Sequence, residues 1–370
     1  MTQSFPESVL VTGGAGFVGS NLALHLKARH PRTRVVCLDN LHRRGSELNV
    51  PRLQDAGVKF VNGDIRSAKE FPAGPFEFIL ECSAEPSVLA GYGESSSLRP
   101  DKIGTTEDGP DYLMETNFLG TYRCLEFARR WKSKFLFLST SRVYPIAVLE
   151  QHPWTEQATR FTWADVPGAA ISSRGVREEC PMTGARSLYG LTKFASEGLI
   201  EEYRAGFGLR AAINRCSVIA GPWQMGKVDQ GVVALWVLRH FFGKPLRYIG
   251  YGGTGKQVRD ALHVADLCEL VEEQISNFDR WDGWLGNVGG GLGISTSLQE
   301  LTAVCRQIVG REVPVGAEPE NRQADLRIFL ADCARLFGRT HWRPKRGVTQ
   351  IVTDVFEWVG AHEKALQPLV

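Results

Sequence analysis

Three observations predict a doubly wound α/β fold for this 370-residue chain: apolar runs alternating with helical patterns through the first half, a glycine-rich turn after the first run, and a changed pattern beyond residue 213. The runs at 9–11, 34–38, 58–61, 76–80, 135–138 and 209–213 are apolar on both faces and bounded by turn residues, the pattern of parallel strands covered on both sides. Two of the intervening helices are legible. Phe118, Tyr122 and Leu125 recur at i, i+4 and i+7, and the segment 187–204 carries Tyr189 and Lys193 one turn apart. Their apolar faces are expected to cover the sheet or to pair with a second subunit. Beyond residue 213 Pro, Gly and Trp recur (Gly221-Pro222-Trp223, Trp281, Trp284, Trp342), which predicts a smaller α+β domain.

The stretches 94–110 and 152–184 are rich in Ser, Thr, Gly, Pro and charge, with weak periodicity. Loops of that length in a compact enzyme are usually lids or binding loops, and lids are the expectation here.

Composition excludes several classes. With 43% hydrophobic residues the chain can bury a large core, and 43 basic against 41 acidic residues leave a net charge of +2. That balance builds no broad positive field, so a nucleic-acid partner is not expected. No apolar run approaches the ~18 residues of a membrane span, and the first residues lack a basic region followed by an apolar stretch. A cytoplasmic chain is the expectation. The eight cysteines (37, 82, 124, 180, 216, 268, 305 and 333) include no CxxC pair and no cluster with His at metal-ligand spacing. They read as reduced, buried small hydrophobes, with no metal.

The glycines Gly13, Gly16 and Gly19 follow the first apolar run and open a helix at Phe17. Glycines at a strand-to-helix turn let backbone approach a pyrophosphate, which is then held at the helix N-terminus. Asp39 ends the second strand about twenty residues later, where a carboxylate bonds the adenosine ribose hydroxyls and repels a 2′-phosphate. NAD is therefore expected over NADP, with Arg43 and Arg44 read as a solvated basic turn rather than a phosphate site. Asp64, just after the third strand, is placed to accept from an adenine amino group or to close a turn.

Tyr189 and Lys193 form a YxxxK pair on one helical face. A phenol titrates near pH ~10, and a neighbouring ammonium together with a positive nicotinamide ring favours its phenolate, giving a base usable near neutrality for hydride-transfer chemistry. A hydroxyl in Ser139-Thr140-Ser141, at the end of the strand 135–138, completes the set by sharing the substrate oxygen's proton, and Thr140 is the choice. His263 reads as a structural histidine, and the tryptophans as packing, with Trp223 the one placed to touch substrate.

With these motifs the chain resembles, over nearly its whole length, the extended short-chain dehydrogenase/reductases that act on nucleotide sugars. Further matches are Asn117-Phe118-Leu119-Gly120-Thr121, Arg259-Asp260-Ala261-Leu262-His263 with Asp266, and Asn287-Val288-Gly289-Gly290. Within them it most resembles the CDP-paratose (CDP-tyvelose) 2-epimerases, through Leu38-Asp39-Asn40-Leu41, Asp229-Gln230-Gly231, Gly255-Lys256-Gln257-Val258-Arg259-Asp260 and Arg322-Gln323-Ala324-Asp325. The resemblance implies a Rossmann-like NAD-binding domain over 1–213 with a return segment around 260–288, and a mainly nucleotide-sugar-binding domain over 214–370. It implies a cofactor set of Gly13, Gly16, Phe17, Val18, Gly19, Asp39, Asn40, Asp64, Ile65 and Asn117, joined by Tyr189 as base and Lys193 on the nicotinamide ribose. Thr140 corresponds to the catalytic hydroxyl, and Arg259 and Arg322 to arginines that hold the nucleotide diphosphate, chemistry that suits guanidinium forks. A homodimer through the helices near 117–130 and 187–204 is the family's arrangement.

Four departures matter. Ser141 and Arg142 follow Thr140 where dehydratases carry an acidic pair that eliminates water; Pro145 replaces a glycine; Val218 stands where many relatives have Asn; and Glu81-Cys82-Ser83-Ala84-Glu85 replaces a sequence of the His-Leu-Ala-Ala type. The implied activity is NAD-dependent epimerisation of a nucleotide sugar, most closely at C2 of a CDP-hexose. A UDP-sugar 4-epimerase and a non-catalytic NAD-binding sensor or scaffold are the alternatives.

Overall fold

The computed structural model describes residues 5–89, 92, 109–226 and 230–369. Nearly all of the stretch 94–110, and Asp229, therefore lie outside the described residues. Two compact units divide the chain, one made of Met1–Thr140, Ser187–Arg215 and Cys268–Leu285, the other of Ser141–Arg186, Cys216–Leu267 and Gly286–Val370.

The first unit is built on a seven-stranded parallel sheet. Its strands are β1 (Ser8–Thr12), β2 (Arg34–Asp39), β3 (Lys59–Asn62), β4 (Phe78–Glu81), β5 (Lys134–Thr140), β6 (Ala211–Cys216) and β7 (Leu285–Val288), in the order β7-β6-β5-β4-β1-β2-β3. The order reverses between β1 and β4, which run parallel with Val11 opposite Leu80 and Thr12 opposite Glu81. Such a switch point opens a crevice at the carboxyl ends of the two strands. β1 and β4 are buried along their whole length, as the unbroken apolar runs required.

The helices of eight or more residues are α1 (Phe17–Arg29), α2 (Gly120–Trp131), α3 (Ser187–Phe207), α4 (Val232–Phe241), α5 (Val264–Ser276), α6 (Leu298–Val309) and α7 (Val348–Ala361). One face of the sheet (Leu10, Val36, Ile79, Phe135, Phe137, Ile213) packs with Cys124, Leu125 and Ala128 of α2 and Ile200 and Tyr203 of α3 in one core. The expected stripe Phe118, Tyr122, Leu125 is not the buried one: Thr121, Cys124, Leu125 and Ala128 face inward and Tyr122 is 42% exposed. A π-helical turn over Glu115–Leu119 inserts an extra residue and rotates the phase of the helix beyond it.

In the second unit the strand Val258–His263 pairs with Val218–Ala220 and Ile328–Phe329 in parallel and with Ser295–Ser297 antiparallel. Helices α4, α6 and α7 pack against one another, and a capping box of Ser297 and Glu300 opens α6. The segment 152–184, read as loop, carries two small hairpins, Trp154–Glu156 with Phe161–Trp163 and Ile171–Ser172 with Gly175–Val176. The Arg327 guanidinium anchors the first of them, 3.9 Å from the Trp154 ring centre and 5.0 Å from that of Phe161. Strands of two or three residues are too short to show a period, which is why the sequence read them as loop.

Candidate active site

The glycine turn sits at the switch point. Gly13 adopts φ +64°, and a Cβ there would lie 2.8 Å from the Cys82 carbonyl, while one on Gly19 would lie 2.2 Å from the Gly13 oxygen. Only glycine leaves room for the turn to fold back on itself. Gly16 is the N-cap of α1 and offers no side-chain oxygen to its first amides. The N–H groups of Phe17 and Val18 thus begin a 13-residue helix whose positive end an anion would satisfy. A cradle that a Cβ would fill, at an uncapped helix start beside the sheet's switch point, fits a dinucleotide pyrophosphate.

Asp39 ends β2 with its carboxylate already aimed: Oδ2 accepts from the Ala15 N–H at 3.0 Å and Oδ1 from the Leu41 N–H at 2.8 Å. Burial raises its pKa and these backbone donors oppose that rise. Each oxygen keeps lone-pair capacity for a ribose hydroxyl. Asn40 accepts from His42 N–H through its carbonyl and donates to Asp64 Oδ2 at 2.9 Å. Asp64 takes Arg66 on the same oxygen, from Nε at 3.0 Å, and the Arg66 backbone N–H on the other at 2.8 Å. Its carboxylate closes a turn, and an adenine amino group would share those acceptors. Ile65 points its side chain into the core, where a Cβ on Gly120 would lie 2.5 Å from its Cδ1, so any contact with a cofactor is through its backbone.

Asn117 lies in the π turn, fully buried. Its carbonyl accepts from the Glu85 N–H at 2.7 Å and its amide donates to the Glu85 carbonyl at 3.0 Å, so it clamps the loop that leaves β4. The Asn117 backbone carbonyl also accepts from Ser196 of α3 at 3.3 Å. Asn117, expected at the cofactor, also clamps the β4 loop to α3, a role invisible to sequence because its partner is a backbone 32 residues away.

Thr140 is the last residue of β5 and is buried. Tyr189 and Lys193 stand one turn apart at the start of α3. Ser187 opens that helix with φ +75° and accepts the Gly190 N–H on its hydroxyl at 3.1 Å, a cap that fixes the first turn and hence Tyr189. Lys193 is 2% exposed, with Nζ 3.9 Å above the Phe137 ring of β5. The fully buried Glu81 at the end of β4 faces the same ammonium at 3.8 Å. A turn further along α3, Glu197 accepts from Ser139 of β5 at 2.6 Å and from Arg215 of β6 at 2.8 Å, a buried bridge that holds α3 against the strand ends. Glu81, Ser139, Glu197 and Arg215 were not among the expected site residues. The departure at Glu81 from the family pattern and the place of Ser139 in the hydroxyl motif were the sequence signs of them.

In the second unit, Arg259 donates to Asp325 Oδ1 at 2.9 Å and to the Leu326 carbonyl at 2.6 Å. Asp325 accepts on its own loop from the Leu326 N–H, and its backbone N–H bonds the Arg322 carbonyl. The strand that carries Arg259 thus meets the loop that carries Arg322, which is partly exposed. Asp260 beside them is fully buried, and burial pushes its pKa up to about 6. His263 accepts from the Ala265 N–H on Nδ1 and faces Asp354 at 3.1 Å, a structural setting in which burial lowers its pKa. Trp223 packs on Trp358 and His362. Among the described residues no group of three or more His, Cys, Asp or Glu side chains is arranged to hold a metal ion.

A Rossmann-like sheet with a glycine cradle, an aspartate at the end of the second strand and a Tyr/Lys helix defines a dinucleotide-dependent enzyme of the short-chain dehydrogenase type. The chain belongs to the NAD dependent epimerase/dehydratase family, whose model matches residues 9–283, and NAD is its cofactor. It is 29% identical to a CDP-paratose 2-epimerase of Salmonella typhi over 95% of this chain and 99% of that one. A dTDP-glucose 4,6-dehydratase of Streptomyces antibioticus is 28% identical, over 98% and 95% of the two chains. The solved UDP-glucose 4-epimerase of Thermus thermophilus in complex with NAD superposes with a TM-score of 0.68 at 26% identity, covering 95% of this chain and 98% of that one.

Proposed function

We propose that this chain is an epimerase of a nucleotide sugar, inverting C2 of CDP-paratose, CDP-tyvelose or a related CDP-hexose. The observation that carries the reading is that Ser141 and Arg142, not an acidic pair, follow Thr140 in a chain whose Tyr189/Lys193 helix is intact. Hydride chemistry is provided for, and the acidic pair that elimination of water requires is not. The CDP-paratose 2-epimerase relative supports C2 as the carbon.

In this reading residues 1–213, with the return segment 260–288, bind NAD and 214–370 mainly bind the nucleotide sugar. Bound NAD supplies a hydride acceptor that later returns the hydride, leaving no net redox change. Gly13, Gly16, Phe17, Val18 and Gly19 hold its pyrophosphate through backbone, and Asp39 its adenosine ribose. Tyr189 Oη takes the sugar hydroxyl proton and gives it back, Thr140 Oγ1 shares that proton, and the Lys193 ammonium stabilises the phenolate and bonds the nicotinamide ribose. Arg259 and Arg322 grip the diphosphate, so the sugar turns over without escaping.

A UDP-sugar 4-epimerase is the second reading, favoured by the Thermus relative, since the same base serves whichever carbon faces it. The intact Thr140, Tyr189 and Lys193 argue against a sensor or scaffold, which needs the fold but no base. The eight cysteines form no disulfide and seven of them are buried, which supports a reducing, cytoplasmic setting. A homodimer is supported by the exposed apolar side chains Met114, Leu119, Tyr122 and Leu191 on the mutually packed helical segments around α2 and α3.

The test is to incubate the protein with CDP- and UDP-sugars deuterated at C2 or C4 and to follow the products by NMR. Epimerisation at C2 of the CDP-sugar is expected, and inversion only at C4 overturns the assignment. Tyr189→Phe is expected to cut turnover about 10²- to 10⁴-fold while the purified protein keeps its NAD, and undiminished turnover would exclude the phenol as base.

A further inference from the structure

The buried acid facing Lys193 is not needed by any step above. Glu81 sits at the carboxyl end of β4 and is fully buried. Its Oε1 accepts the Ser83 backbone N–H at 3.0 Å, which fixes the side chain. Oε2 has no hydrogen-bond partner and lies 3.8 Å from Lys193 Nζ. A buried carboxylate oxygen without a hydrogen bond is costly unless a charge compensates it. The ammonium of Lys193 is that charge, and it also lies 3.9 Å above the Phe137 ring.

We propose that Glu81 is a positioning residue that acts through Lys193: as the buried counter-ion of the ammonium it keeps Lys193 protonated and weakens the ammonium's stabilisation of the Tyr189 phenolate. The inference rests on the reading of Tyr189 as base. Its physics is the cancellation of charge. A lone ammonium one helical turn from a phenol draws the phenol's pKa down, and a carboxylate at ion-pair distance from that ammonium offsets part of the pull. A neutral side chain at position 81, as in the His-Leu-Ala-Ala pattern, removes that offset.

The titratable groups facing Glu81 are Lys193 from α3 and the Cys124 thiol from α2. Burial, then the Glu81 charge, pushes the Cys124 thiol well above its ordinary range, so it stays protonated and uncharged. For Glu81 itself burial is the largest influence and leaves the pKa raised, with the Lys193 charge and the Ser83 N–H opposing the rise.

The experiment uses the full chain with NAD bound and no sugar, so it stands apart from the question of substrate. The Tyr189 phenolate is titrated by ultraviolet difference against the Tyr189→Phe protein, and the Lys193 ammonium by NMR of isotope-labelled lysine, assigned with Lys193→Arg. In Glu81→Gln, which keeps the shape and the acceptor for Ser83, both pKa values are expected to fall, that of Tyr189 by roughly one unit. Glu81→His is expected to shift Tyr189 the same way and covers the case of a Gln variant that does not fold, while Glu81→Asp, which keeps the charge, restores the wild-type titration. On whichever sugar proves to be turned over, the acid limb of the kcat profile moves down in pH by the same amount at unchanged KM. Unmoved Tyr189 and Lys193 titrations in a folded Glu81→Gln or Glu81→His protein overturn the proposal. A chain that turns over neither sugar but shows these shifts overturns the epimerase reading and leaves the pairing in place.

Discussion

Single atoms decide the nucleotide end of this molecule. The Gly19 Cα lies so close to the Gly13 carbonyl that a Cβ would be 2.2 Å from that oxygen, a backbone contact that no rotamer change relieves. Gly19→Ala is therefore expected to open the turn, cost about 1–3 kcal/mol of stability and release NAD, read as a lower melting temperature and lost cofactor absorbance in the purified protein. Gly206→Ala, on α3 with nothing within 4 Å of the new methyl, is the control and keeps its NAD. The two glycines look alike in sequence. Only the spacing from Gly13 to Gly19 distinguished them, so this part of the site was legible in advance. The Glu81–Lys193 pair was not, because its two members are far apart along the chain and are joined by the pairing of β4 next to β5 and the packing of α3.

Elements show the same division between local and distant information. Central strands were legible because burial on both faces leaves an unbroken apolar run, and helix α3 because Tyr189 and Lys193 are local to one turn. The hairpins of 152–184 and the π turn before α2 were not, since two-residue strands and a one-residue phase shift carry no period. In the strand Val258–His263 the motif Arg259-Asp260 was read for its arginine, and the structure adds a role for the acid. Asp260 Oδ2 accepts the Gly291 N–H at 3.0 Å while Oδ1 has no partner, and a Cβ on Gly289 would lie 2.3 Å from Oδ2. Burial raises its pKa to about 6, above the unfolded value. A group raised on folding contributes its stability below the unfolded pKa and loses it as pH rises through the folded one, here between about pH 4 and pH 6. Asp260→Asn keeps an acceptor for Gly291 and carries no charge. It is expected to gain on the wild type by about 2 to 3 kcal/mol between pH 4 and pH 7, measured by urea unfolding across that range, and a constant difference at all pH values would show that Asp260 is not titrating there.

At the scale of the whole molecule, the mis-set phase of α2 becomes informative. Because the π turn rotates the small residues Thr121, Cys124 and Ala128 onto the sheet, the larger apolar residues of the same stretch are left outside: Leu119 is 39% and Tyr122 42% exposed, with Leu191 on α3 at 47%. A single exposed apolar residue needs no explanation, but several on helical segments that pack together form the kind of surface that a second copy covers. A two-fold partner would bring the same two helices of each copy together as a four-helix bundle, and the near-neutral net charge of +2 puts up little long-range repulsion between copies. If that is the assembly, a charge placed at Tyr122 appears twice in one interface, desolvated and facing its own symmetry mate's surroundings, and association fails. Tyr122→Glu is thus expected to halve the mass seen by light scattering while the NAD content of the purified protein is unchanged, because Tyr122 points away from the core that holds the glycine cradle and Lys193. A wild-type chain of about 41 kDa in solution, or a Tyr122→Glu protein that keeps the wild-type mass, would remove this face from the assembly.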